Sequence, residues 1–151
     1  MGVRSYKDAP GIRVLRALLR AERALLGCHA WIEEQLPLPE FDMIATLGNT
    51  QGLRMHELAQ RMITSPANVT RVARALEARG LVERGRSADS GREVICRLTA
   101  KGERLFAELY PKAARYTIAV VDGILSRDEQ ATLEKLLERL ADGSAERLPR
   151  A

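Results

Sequence analysis

Arg71 and Arg74 stand three residues apart within the stretch from Ser65 to Gly80, SPANVTRVARALEARG, and Arg86 and Arg92 flank a short polar segment just beyond it. Guanidinium groups in such an array suit one chemistry above others: pairing with phosphates, or reading a guanine edge through two parallel hydrogen bonds. At about 100° per residue, Val69, Val72, Ala73 and Leu76 gather on one side of a helix, and Ala67, Arg71, Arg74 and Ala78 on the other, with Asn68 and Thr70 at the borders. Small residues around the arginines let such a helix come close to a groove. Ser65 suits the N-cap, Pro66 the first helical position, and Gly80 a left-handed stop. The stretch reads as a recognition helix, with Ser65, Asn68 and Thr70 donating to phosphates near its N-terminus. A plain surface helix with solvated arginines carries the same pattern, so the surroundings must decide.

Those surroundings favour the first reading. Residues 55–62 predict a helix that buries Leu58, Ala59 and Met62, joined through Ile63 and Thr64 to the arginine-bearing segment, which makes a helix-turn-helix pattern. Behind Gly80 the periodicity changes. Residues 81–84 and 93–98 predict two strands, and GRSADSGR between them is polar and glycine-bearing. A hairpin directly behind a recognition helix is a wing, and Arg84, Arg86 and Arg92 would lie along it within reach of a minor groove or adjacent phosphates.

Helical arms flank this centre. Ile12, Leu15, Leu19, Leu26 and Ile32 recur at helical spacing and predict a long first helix over residues 12–36, closed by Pro37 and Pro39. A short helix over 40–47 turns Phe41, Ile44 and Ala45 inward, with Met43 a further candidate for that face. Thr99 is placed to cap a fifth helix that runs through Phe106, Leu109 and Val121, with a kink expected before Pro111. Ser126 and Glu129 match a capping box for a last helix, with Leu133, Leu136, Leu137 and Leu140 on one face, ended near Gly143.

Charge is distributed unevenly along the 151 residues. Residues 54–104 hold eleven basic and six acidic side chains, a net of +5, whereas the first 53 residues hold six of each and the last 47 hold seven basic and eight acidic. A basic centre between neutral helical arms fits a nucleic-acid reader with a separate association module. With 46% hydrophobic residues and only six aromatic ones, a core of aliphatic helices is expected. Two cysteines, Cys28 and Cys96, make neither a disulfide framework nor a metal site, and no apolar run nears the roughly 20 residues that span a bilayer. No signal-peptide pattern opens the chain, so a cytoplasmic protein without cofactor or metal is expected. Catalysis finds no support: there is no Ser-His-Asp signature, phosphate-binding glycine loop, HExxH or CxxC.

The order of elements, and the motifs HELAQRM at 56–62, SPANVTRVARALEARGLVERG at 65–85 and RLTAKG at 97–102, resemble the MarR family of bacterial transcriptional regulators. The resemblance covers about residues 12–142. It implies a mostly α fold: one domain over 1–151, with a winged helix-turn-helix lobe at about 38–100 and N- and C-terminal dimerisation helices at about 12–36 and 103–142. It further implies a homodimer on a palindromic double-stranded operator, and repression relieved by a small anionic or phenolic ligand or, in some members, by cysteine oxidation. Family wings usually carry an Asp two residues before the wing arginine, whereas here Asp89 stands three before Arg92.

For the effector, His29 and Trp31 late in the first helix, Met43 on the second and Arg20 on the first are the candidates, an aromatic and a titratable group being suited to an aromatic carboxylate. Each also has a plain reading, Trp31 as core or dimer interface and Arg20 as part of a solvated row with Arg16 and Arg23. Two alternatives stand beside the ligand-released repressor. One is a redox-sensing repressor using Cys28. The other is a winged-helix protein-interaction module, against which the outward arginines count.

Overall fold

The computed structural model describes residues 6, 8–27, 32, 35–63, 66–87 and 91–147, and for residue 66 and residues 145–147 the backbone alone. Its elements run α1 (Pro10–Gly27), α2 (Leu38–Leu47), β1 (Leu53–Arg54), α3 (Met55–Arg61), α4 (Pro66–Ala78), β2 (Val82–Arg86), β3 (Val94–Leu98), α5 (Ala100–Ile124) and α6 (Arg127–Arg147). The chain divides into two units, Met1–Pro111 and Lys112–Ala151, with α5 contributing to both.

In the first unit α4 packs against α2, α3 and β2. The apolar stripe anticipated for α4 is the buried one: Val69, Val72, Ala73 and Leu76 are each at most 2% exposed. Ile44, Leu47 and Leu58 are fully enclosed beside them, so three short helices share one aliphatic core. The sheet is antiparallel in the order β1-β3-β2, with Leu53 opposite Cys96 and Val82 opposite Leu98. β1 is an addition to the two expected strands.

Several boundaries move for identifiable reasons. The second helix starts at Leu38, not Glu40, because Pro37 occupies the N-cap and Pro39 falls in the first turn, where a missing N–H costs nothing. β2 reaches Arg86, since Gly85 and Arg86 still pair with Ile95 and Val94. The first helix is described from Pro10 to Gly27; Ile32 is again helical, and its carbonyl accepts from Leu36 N at 2.8 Å. α5 is continuous through Pro111.

In the second unit the capping box at the start of α6 forms as expected: Ser126 N and Oγ each donate to Glu129 Oε2 at 2.8 Å. α6 does not stop at Gly143 but continues to Arg147. Leu133, Leu136, Leu137 and Leu140 remain 38–47% exposed along it. In the first unit, α1 buries no residue at all, and Ile12, Val14, Leu15 and Leu19 are 40–54% exposed.

Candidate nucleic-acid interface

The recognition helix is fixed at both ends of its working length by contacts that leave one face outward. At its C-terminus Gly80 adopts φ +69°, Gly80 N donates to Glu77 O at 2.9 Å, and Leu81 N donates to Leu76 O at 2.9 Å. That pair of bonds closes the last orphan carbonyls in a Schellman arrangement, and Leu76 and Leu81 are buried together where the motif places its apolar contact. The RLTAKG segment then clasps this end. Thr99 Oγ1 donates to Gly80 O at 2.7 Å and accepts from Gly102 N at 3.1 Å, while Lys101 Nζ donates to Arg79 O at 2.9 Å. Arg79 Nη1 pairs with Glu40 Oε2 at 2.6 Å, tying the same end to the first turn of α2. At the other end Ile63 N, in the turn before α4, donates to Asp42 Oδ2 at 2.8 Å.

Held in this way, α4 exposes Ala67, Thr70, Arg71, Arg74 and Ala78, with Asn68 half-buried. Arg71 Nη2 donates to Asn68 Oδ1 at 3.4 Å, one turn earlier on the same face. The division between apolar and basic sides is the one expected from helical spacing. Ser65 lies outside the described residues.

In the wing, Arg86 and Arg92 are exposed. The hairpin is closed by Ser87 N donating to Glu93 O at 2.8 Å and Gly91 N donating to Ser87 O at 2.9 Å. Arg84, the third wing arginine, has a partner within the lobe. It is half-buried and turned back onto α4, where its Nε and Nη2 both donate to Glu77 Oε2, the first at 3.1 Å. The shared hydrogen bonds hold the Glu77 carboxyl below its ordinary range and raise the Arg84 guanidinium. Arg84 is thus a strut between helix and wing, not an outward cation. Asp89 lies outside the described residues, and with it the question of its pairing with Arg92.

Of the effector candidates, Met43 and Arg20 fall within the described residues. His29 and Trp31, like Cys28, lie outside the described residues. Met43 is fully enclosed in the core, and Arg20 is exposed on α1, lining a shallow depression with Asp8, Arg13, Arg16 and Ala17. Cys96 is fully buried in β3, and burial pushes its thiol up to about 11, as suits the small apolar residue expected there. Among the described residues no three His, Cys, Asp or Glu side chains are grouped to hold a metal ion, and no helix is long and apolar enough to cross a membrane.

Sequence reasoning did not single out Asp42, Arg79 or Lys101, which hold α4 in place through partners 21 to 39 residues away. No local pattern announces contacts of that range.

A helix-turn-helix followed by a hairpin on a three-stranded sheet, with arginines outward on the second helix, defines a winged helix-turn-helix DNA-binding lobe of a transcriptional regulator. The model of the MarR family matches residues 36–94. The HTH-type transcriptional repressor Rv2887 of Mycobacterium tuberculosis is 35% identical over 105 residues, covering 70% of this chain and 75% of that protein. The chain belongs to the MarR family. Among solved structures, the PcaV transcriptional regulator of Streptomyces coelicolor in complex with its natural ligand is 27% identical, with a TM-score of 0.72, covering 95% of this chain and 99% of that one. Sco3205, a MarR family regulator from Streptomyces coelicolor solved in complex with DNA, shares the fold with a TM-score of 0.74 over 86% of this chain and 84% of that one, at 21% identity.

Proposed function

We propose that this MarR-type regulator is a cytoplasmic homodimeric repressor without catalytic activity, which binds a palindromic double-stranded operator and is released by a small aromatic or phenolic ligand. The observation that carries the reading is the two-sided α4: its apolar stripe is spent inside the lobe while Arg71 and Arg74 stand exposed between small residues. Ser65, Asn68, Thr70, Arg71 and Arg74 approach the major groove, and Arg86 and Arg92 the neighbouring minor groove or phosphates. Arg84 acts by bracing the wing.

Dimerisation is supported by the helices at either end of the chain. The aliphatic residues of α1 and the leucines of α6 are too exposed for a lone subunit, and a twin subunit is the simplest cover. In that arrangement the lobe spans about 38–100 and the association helices about 12–36 and 103–142. A two-fold axis would set the recognition helices about one DNA turn apart, roughly 34 Å, matching half-sites some 10 bp apart. The ligand class is supported by NadR, a structural neighbour 27% identical with a TM-score of 0.72 that was solved in complex with 4-hydroxyphenylacetate, and by the aromatic and titratable pair Trp31 and His29 late in the expected first helix.

Selection of bound duplexes from a random pool tests the proposal directly. The expected winner is palindromic, is bound by a dimer with an affinity that falls steeply as salt rises, and is released by an aromatic carboxylate. Failure to enrich any duplex, or binding indifferent to salt, would refute it.

A further inference from the structure

Glu93 stands at the base of the wing, one residue after Arg92, and its carboxylate is taken by a residue from outside the hairpin. Arg54 Nε donates to Glu93 Oε2 at 2.8 Å. The register explains the meeting. Arg54 on β1 lies opposite Ile95 on β3, and Glu93, two residues before Ile95, is the diagonal neighbour on that face of the sheet. Arg54 is itself anchored: its backbone N–H donates to Glu57 Oε2 at 2.9 Å, the contact that caps the first turn of α3 and holds the Glu57 carboxyl below its ordinary range. Glu93 is also fixed through its main chain, since Ser87 N donates to Glu93 O at 2.8 Å.

An unbroken chain of contacts therefore leads from the head of α3, the first helix of the helix-turn-helix, through Arg54 to Glu93, the residue beside Arg92. With side-chain exposures of 42% and 39%, the pair is too wet to add much to stability. Its contribution is directional. A two-stranded ribbon that leaves its sheet is free to swing unless its base is tied, and this tie comes from the element that sets the recognition helix.

We infer that Glu93 is a positioning residue for DNA binding, acting through Arg54 to aim Arg92 of the wing at the duplex; this rests on the proposed operator binding. The inference makes a prediction of opposite sign to simple electrostatics. Removing a carboxylate next to a polyanion reduces repulsion and should tighten binding. Loss of a positioning contact weakens it.

The test is a duplex titration of the full-length protein on its selected operator, comparing wild type, Glu93→Gln, Arg92→Ala, the double variant, and the charge exchange Arg54→Glu with Glu93→Arg. Glu93→Gln should weaken binding about three- to tenfold, the scale of one or two lost phosphate contacts, with its thermal melt unmoved. In the Arg92→Ala background the same change should have no further effect, and the charge exchange should restore binding to within about twofold. Glu93→Asp, which keeps the charge but shortens the reach, should fall between wild type and Glu93→Gln, and it stands in for Glu93→Gln if that variant melts early. Tighter or unchanged binding by Glu93→Gln, or equal losses with and without Arg92, overturns the inference while operator binding stands. A wild-type protein that binds no duplex removes the operator reading itself, and this inference with it.

Discussion

Glu77 on the recognition helix and Arg84 on the first wing strand meet through two hydrogen bonds to a single carboxylate oxygen, Glu77 Oε2. The contact crosses the Schellman turn at Gly80, so the helix and the strand that leaves it are joined both through the main chain and through these side chains. Replacing Arg84 by Met keeps the aliphatic stem and removes the tie. Because the pair is partly exposed, the melting temperature should drop by no more than about 3 °C. Operator binding should weaken while the slope of affinity against salt stays as in wild type. A slope reduced by about one unit would instead mark Arg84 as a direct phosphate contact.

Glu77, Glu57 and Glu129 share a pH signature. Each carboxyl is held below the ordinary 4.5, Glu77 by hydrogen bonds from Arg84, Glu57 by the backbone N–H of Arg54, and Glu129 by the backbone N–H of Ser126. A depressed carboxyl stabilises the fold above its unfolded value, and that contribution fades as pH falls through the folded value. Stability should therefore be level from neutrality down to about pH 5 and decline below 4.5. Denaturant midpoints measured across that range check it, and the triple Gln variant should show a shallower decline.

Gly102 occupies the third helical position of α5, where an added Cβ would lie 2.0 Å from the carbonyl oxygen of Leu81. That oxygen belongs to backbone, fixed by accepting from Thr99 N at 3.1 Å, and cannot step aside as a side chain tip would. Gly102→Ala should cost about 3 kcal/mol of stability, well beyond its small gain in helix propensity. Chemical denaturation measures it. A neutral effect would mean that the α4–α5 clasp is looser than the distances indicate.

Much of this architecture can be read from residue order, and the limits are physical. The stripe of Val69, Val72, Ala73 and Leu76, the stop at Gly80, the cap at Thr99 and the box of Ser126 and Glu129 are local patterns, and each appears where spacing places it. β1 is two residues long, below any period that hydrophobic alternation can reveal, and exists because β3 offers Cys96 and Ile95 as partners. The orientation of Arg84 depends on a carboxylate seven residues back across a turn, so counting arginines along the wing assigns it outward. Contacts from Asp42 to Ile63 and from Glu40 to Arg79 are set by tertiary packing alone. Of the effector candidates, His29 and Trp31 lie outside the described residues, Met43 is buried, and Arg20 lines a depression with Asp8, Arg13, Arg16 and Ala17.

Arg71 and Arg74 are expected to divide the work of recognition. Arg71 is already braced by Asn68 at 3.4 Å, which favours a set direction toward one base or phosphate, whereas Arg74 is exposed one turn nearer the C-terminus. Whichever is bidentate to a guanine should cost about 1 to 3 kcal/mol of specific binding when changed to Ala, and should relax the sequence preference at one position of each half-site. An arginine that touches only phosphate should weaken all duplexes alike and lower the salt slope by about one. Titrations against the selected operator and single-base variants separate the two. Unchanged affinity for both variants would remove α4 from the interface.

Cys96 offers a test of the sheet that is independent of DNA. Its thiol is fully enclosed opposite Leu53 and Arg84, and burial lifts it from an ordinary 9.0 to about 11. The folded chain thus keeps the proton through a range in which the unfolded chain has released it. An acid whose folded value is raised costs stability above its unfolded value, so from pH 9 to 11 this residue should remove roughly 1.4 kcal/mol per pH unit. In a Cys28→Ser background, where Cys96 is the remaining thiol, a thiol reagent at pH 8 should label only as fast as the protein unfolds. Denaturation at pH 8 and pH 10.5 should show a loss that Cys96→Ala lacks, after its own cavity cost is subtracted at the lower pH. Rapid labelling of the native protein would mean that β3 opens without global unfolding, and that the wing is anchored less firmly than its register with β1 and β2 implies.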